Sequence, residues 1–555
     1  ILSLQNNLIS RIHNVAFRGF INLQTLDLSQ NLIQRIDVNA FSGLRRLKML
    51  NLYDNFIALY NNSHADEIFA DLHSLRELHL HGNFGHQTNH HQTTPCHQPN
   101  LPDYPDGALS RIASLEKIFM DGLPAPAYPG KGFRNLTKLS FVKPLELVFD
   151  YCTISRIHPA AFARVSSLQN LSLIYSRLNF ENFTEASASL NQTHTKKLDL
   201  SGTHSGPDKF VQIRSEWFVH LMNTSLQILI LDHNSIIDFE PRFFTILPRT
   251  ITSLSLVDNA IITLTLLYSI NWMTSLQIFD GRSQNNYTAD LGFSSNQTGQ
   301  IISNKTFNGE KRIEQLITLK VLYHLQESYC PTYRSGYIFP DLNRTHNTTV
   351  MLPESLTELR LGNVKLGYAV PRINIWRSVL LYLDLSNNYL WCLDGPLLGL
   401  KKLKVLDLSK NDCIALSPYF FSDMPELRAL LLQYNTIGPS LEADKDGETF
   451  SKLLRLEYID VSHNAIRTLH PKVFKQSANL QTILLNNNAL QVFDIDVGSL
   501  NKLTLVDLSA NALVTLPKRM MTSLDTLALS SPNLTLDLHD NDLLCDCSNT
   551  DLITW

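Results

Sequence analysis

No stretch of about 20 consecutive apolar residues occurs in this 555-residue sequence, so nothing in it reads as a membrane-spanning helix. An excess of one charge is missing too. The formal net charge is −4, which leaves no electrostatic footprint for avid nucleic-acid binding at neutral pH. Motifs that carry enzymatic chemistry are absent: there is no G-x-S-x-G, no P-loop and no H-E-x-x-H. No enzyme, cofactor or metal site is therefore expected. Cysteine is scarce, with seven in the whole chain.

What is abundant is leucine at a fixed spacing. Leu47, Leu50, Leu52, Asn55 and Ile57 form L-x-x-L-x-L-x-x-N-x-I. The same pattern lies 24 residues earlier at Leu23, Leu26, Leu28, Asn31 and Ile33, and 24 before that, truncated, at Leu2, Leu4, Asn7 and Ile9. This is the leucine-rich repeat pattern. In its short strand, alternate side chains point one way, so Leu50 and Leu52 enter the core while Asn51 and Tyr53 face outward. Asn55 turns the chain, and its buried amide can satisfy backbone groups of neighbouring turns. One repeat cannot bury its own apolar face, so repeats must stack into a solenoid. Its asparagine ladder runs through Asn7, Asn31, Asn55, Asn83, Asn234, Asn259, Asn388, Asn411, Asn435, Asn464, Asn488, Asn511 and Asn541. A phenylalanine follows ten residues after the ladder position at Phe17, Phe41, Phe162, Phe244, Phe421 and Phe474, suited to filling the side of each turn away from the strand. The fold class expected is an α/β repeat solenoid of about 20 repeats with a parallel sheet on one face.

Regular repeats occupy residues 1–83. Residues 84–108 are a His/Pro-rich excursion, since insertions in such arrays map to loops. Repeats resume over 109–282, with Cys152 in a ladder slot. The pattern dissolves over 283–350, where Ile313, Leu316, Val321 and Leu325 fit a short helix as well as a degenerate repeat. It is most regular over 351–543, and 544–555 ends the chain. Residue 1 already lies inside a repeat and no signal peptide is visible, so the chain reads as a fragment at its N-terminus.

The acceptor motif N-x-[ST] occurs twelve times, at Asn61, Asn135, Asn170, Asn182, Asn191, Asn223, Asn286, Asn296, Asn304, Asn343, Asn347 and Asn533. None of the well-matched ladder asparagines belongs to one, as expected if the ladder is buried and glycans are exposed. The chain reads as extracellular or lumenal.

Of the 19 histidines, His64, His73, His79, His81, His86, His90, His91 and His97 crowd one repeat and its insertion. His79 and His81 take outward strand positions. Two readings stand: a mobile, compositionally biased loop, or a ligand patch (His79, His81, His86, His90, His91 and His97) that turns positive as pH falls through about 6.5 and then attracts an anion such as nucleic acid. Cys392 and Cys413 lie on successive turns, two and four residues past Leu390 and Ser409, which makes them a disulfide candidate. Cys96 and Cys330 both fall in irregular stretches, and Cys152 reads as a buried thiol.

The chain ends Cys545-Asp546-Cys547, with Trp555 eight residues on. That C-x-C and Trp resemble the start of the cysteine-rich cap of leucine-rich repeat ectodomains. With the 24-residue repeats, the phenylalanines, the sequons and the irregular middle, the chain resembles the ectodomain of a Toll-like receptor. The resemblance implies a horseshoe that binds a microbial or endogenous ligand, whether small or protein, and forms homo- or heterodimers. It also implies that Cys545 and Cys547 pair with cysteines beyond residue 555. A single-pass type I anchor and a cytoplasmic signalling domain would follow, with the chain at the cell surface or in the endosomal lumen. Some members open a lipid pocket where the ladder lapses; here the sequons of 283–350 argue against one. The alternative is an adhesive or matrix leucine-rich repeat protein that binds protein partners without signalling.

Overall fold

A computed structural model describes residues 1–57, 65–83, 114–120, 145–149, 165–176, 178–204, 210–240, 242–261, 269–284, 348–367, 369–544 and 549–555, with isolated positions between them. The chain divides into two compact units, Ile1–Ala260 and Ile261–Trp555. Both are parallel solenoids.

In the first unit ten described strands, from Leu2–Ser3 to Ser253–Ser255, pair in parallel and in sequence order. In the second, nine run from Ile278–Asp280 to Thr535–Asp537. From Thr25–Asp27 to Leu505–Asp507 each strand turns a buried leucine, isoleucine, valine or phenylalanine inward onto its counterpart, as Leu26 pairs with Leu50 and Leu50 with Leu78. Glu77–His79 pairs directly with Lys117–Phe119, and Ile278–Asp280 with Glu358–Arg360. Ile313, Leu316, Val321 and Leu325 lie outside the described residues.

The ladder works by bridging turns. The Asn55 amide donates to the carbonyls of Leu52 and Tyr53 in its own turn and, at 3.0 Å, to Leu28 in the turn before. Its Oδ1 accepts from the Ile33 N–H of that earlier turn. One buried side chain thereby satisfies backbone groups that bends would otherwise leave unpaired. Similar cross-turn bonds recur at Asn31, Asn83, Asn234, Asn259, Asn388, Asn411, Asn435, Asn464, Asn488, Asn511 and Asn541. Asn7 is exposed and bonds only within its own turn.

Pattern reading missed three rungs. Gln284 does the work of an asparagine, accepting from Ile261 N–H at 3.0 Å and donating to Gly281. Thr203 donates its hydroxyl to Leu173 at 3.1 Å. Val364 occupies the ladder slot as a buried hydrocarbon.

The residue before the rung is left-handed in turn after turn. Asp54, Tyr175, His233, Asn387, Lys410, Tyr434, His463 and Ala510 all have φ between 50° and 58°. That region costs a non-glycine residue about 1–2 kcal/mol. Glycine takes the slot at Gly202, where a Cβ would lie 2.3 Å from the Tyr175 ring.

Away from the sheet the phenylalanines form stacks. Phe17 and Phe41 lie 6.1 Å apart, Phe41 and Phe69 6.1 Å, and Phe450 and Phe474 5.8 Å, each pair near parallel. Phe69 and Phe450 fall outside the ten-residue offset but fill the same column.

Candidate functional site

Stacked leucines commit the other strand positions to the open face of the sheet. On the first unit these positions gather rings. His79, held by Glu77 through Nε2 at 2.8 Å, stacks on Phe119 at 4.0 Å and 13°. His81 packs against Tyr53 at 4.4 Å, and Lys117 caps the Phe119 ring at 4.9 Å. Beside the rings lie two hollows of about 190 and 420 Å³. Met49, Phe119, Val148, Leu171 and Ile174 are their apolar lining residues, and the rest are charged or polar. Lys117 pairs with Glu146 at 3.2 Å.

The second unit presents a run of aspartates at these positions. Asp384, Asp407, Asp460 and Asp507 each accept from the backbone N–H two residues on, at 2.9–3.0 Å. Each carboxylate is thus committed to its own turn. Burial beside Asp384 pushes the Asp407 carboxyl up.

The histidine expectation needs correction. His79 and His81 do face outward together, but burial lowers both, His81 to about 4 with His79 adding repulsion. Ring packing removes the water a charged imidazole needs. His81, at about 4, stays neutral across pH 5.5–6.5 and does not act as a charge switch there. His86, His90, His91 and His97 lie outside the described residues, as does His64.

The expected Cys392–Cys413 bridge does not form. Cys392 is disulfide-bonded, whereas Cys413 is a free thiol whose Sγ donates to the Ala415 carbonyl, with its pKa pushed up to about 12 by burial. Strand register gives the reason: Cys392 lies opposite Ala415, two residues beyond Cys413. Counted from the rungs Asn388 and Asn411, the two cysteines sit four and two residues along, out of phase by two. Cys96, Cys152, Cys330, Cys545 and Cys547 fall outside the described residues.

Among the sequons, Asn182, Asn191, Asn223 and Asn533 are exposed, while Asn170 is half-buried within a strand. Asn61, Asn135, Asn286, Asn296, Asn304, Asn343 and Asn347 lie outside the described residues. Phe119 and Lys117 went unnoticed in the sequence because their repeat is irregular. Aligning Ile118 with Leu78 would have placed both on the open face.

A family model described as leucine rich repeat matches residues 1–57, 378–437 and 444–490. Toll-like receptor 4 of Pinctada imbricata is 27% identical over 430 residues, covering 74% of this chain and 47% of that protein. The chain is a leucine-rich repeat solenoid and is similar to Toll-like receptors. Toll-like receptor 5 of Homo sapiens is 28% identical over 211 residues, 38% of this chain and 23% of that protein. The chain spans about half the length of the first of these relatives and less of the second. Among solved structures, the mouse RP105/MD-1 complex superposes with a TM-score of 0.45 at 16% identity, covering 99% of this chain and 88% of that one. Among the described residues no helix is long and apolar enough to cross a membrane.

Proposed function

We propose that this chain is the ligand-binding part of a pattern-recognition receptor that faces the extracellular space or an endosomal lumen and assembles into dimers when a microbial or endogenous ligand binds. The likeness to a Toll-like receptor along 430 residues supports this reading above all. The ring cluster of Tyr53, His79, His81 and Phe119 supplies the contact surface. Aromatic edges and a capped cation offer large contact area on a rigid sheet at little entropic cost. Burial lowers both His79 and His81, so acid-dependent nucleic-acid binding gains no support from these two residues.

The test is sedimentation velocity of the secreted chain with a lipopeptide, a lipopolysaccharide, flagellin, double-stranded RNA and single-stranded DNA, each at pH 7.4 and 5.5. The expected result is a monomer-to-dimer shift with one class, weakened at least about tenfold by Phe119→Ala, a loss typical of a contact hot spot. A chain that binds protein partners yet stays monomeric at every ratio would move the assignment to the adhesive reading.

A further inference from the structure

We infer that Asn170 carries an N-linked glycan whose first sugars lie in the groove on the open face of the first unit, so that the protein's own carbohydrate covers this part of the sheet. The sequon Asn170-Leu171-Ser172 lies inside the strand Leu168–Ser172. Leu171 is buried, so strand alternation directs Asn170 to the open face. There it stands in register between Glu146 and Lys197. Among the described residues its side-chain amide has no hydrogen-bond partner, and it lines both hollows of the groove.

The groove suits a neutral polyol. Its cations, Lys48, Arg76, Lys117 and Lys197, are balanced by Glu77, Glu116, Glu146 and Asp199, four against four. A polyanion would meet as many carboxylates as ammonium groups and gain little. Sugar hydroxyls both donate and accept, so they match a fence of alternating donors and acceptors. The half-buried Ile174 in the lining gives the apolar faces of the sugar rings a surface to rest on.

Attachment follows the ordinary chemistry of the sequon. The Asn170 amide nitrogen gives up a proton and forms a C–N bond to the anomeric carbon of a lipid-linked oligosaccharide, and the lipid pyrophosphate leaves. The strand presents its amide fully to a transferase only before it pairs with its neighbours, so the sugar is in place as the sheet closes over its two sides. This inference rests on the extracellular or lumenal placement proposed above and not on ligand recognition. The glycan occupies the groove and leaves the ring cluster as the open part of this face.

The test uses the full chain secreted from a eukaryotic host, digested with peptide-N-glycosidase without denaturation and followed by glycopeptide mass spectrometry. Asn182, Asn191, Asn223 and Asn533 serve as internal controls, being exposed. The expected result is that Asn170 is occupied, is released at least about tenfold more slowly than the four controls, and reaches their rate once the protein is denatured; slow release is what a sequestered group predicts. An unmodified Asn170 in the folded protein overturns the inference. So does an occupied Asn170 that is released natively as fast as the controls, since the sugar would then stand clear of the groove.

Discussion

The turns of residues 388–541 and those of residues 173–203 build the same parallel strand with different rungs. In the first stretch every ladder slot is asparagine, each amide reaching back to a carbonyl of the preceding turn. In the second the slots hold Ser176 and Thr203. Thr203 makes one cross-turn bond, while the buried Ser176 hydroxyl has no hydrogen-bond partner among the described residues. The register is kept all the same, Leu171 opposite Leu198 and Leu198 opposite Leu229. Leucine stacking therefore sets the register, and the rung decides how well each bend is satisfied. The two units also treat histidine differently on the open face. Burial lowers His81, whereas the exposed His539, bonded to Asp537 at 2.6 Å, is raised.

The strongest way to break this comparison is to remove core volume. Phe450, fully buried between Phe421 and Phe474, should cost about 3–5 kcal/mol as Phe450→Ala. Hydrogen exchange should rise in both flanking turns, because stacked repeats depend on nearest neighbours. If Asn464→Ala proved more costly, the rungs and not the apolar stack would set the register.

Acid should act next, through His81 in the first unit. The folded pKa of His81 lies below its unfolded value, so the stability it protects is complete above pH 6.5 and falls as pH drops toward 4. The loss is on the order of 3 kcal/mol for that turn, at about 1.4 kcal/mol per unit. NMR of histidine-labelled protein should place the His81 midpoint near 4 and that of His539 above 6.5. Midpoints near 6.5 for both would erase the contrast.

Rung substitutions come third. Asn464→Ala should cost about 2 kcal/mol because it strands buried carbonyls of Leu432 and Ser462, whereas Ser176→Ala should cost less than about 0.5 kcal/mol. Equal losses in thermal unfolding would contradict the account given for the two stretches. Smallest of all, Ala510→Gly should stabilise by up to about 1 kcal/mol, since φ at Ala510 is 50° and the substitution relieves left-handed strain. A measured loss of stability at that position would show the strain to be negligible.

Much of the fold was legible because the repeat is local. Leu50, Leu52 and Asn55 each do within one turn what their type and spacing demand. Legibility failed where the spacing stayed but the residue type changed, as at Gln284, Thr203 and Val364. It failed again where phase depended on the anchor chosen, as for Cys392 and Cys413. The site was harder still. Tyr53 and the two histidines could be assigned to the open face from alternation, but their partner Phe119 sits 40 residues beyond His79 across an insertion.

From its sequence alone this protein was bound to be a parallel solenoid with a buried amide ladder and leucines stacked through its core, because each requirement repeats inside a window of about 24 residues. Only the tertiary structure decided which outward side chains meet. It stacked His79 on Phe119, set Cys392 against Ala415 and put Asn170 on the floor of a charge-balanced groove. The physical reason is that neighbouring strands lie about 4.8 Å apart whatever the chain length between them. Contact across the sheet depends on register, and register is a property of the assembled stack.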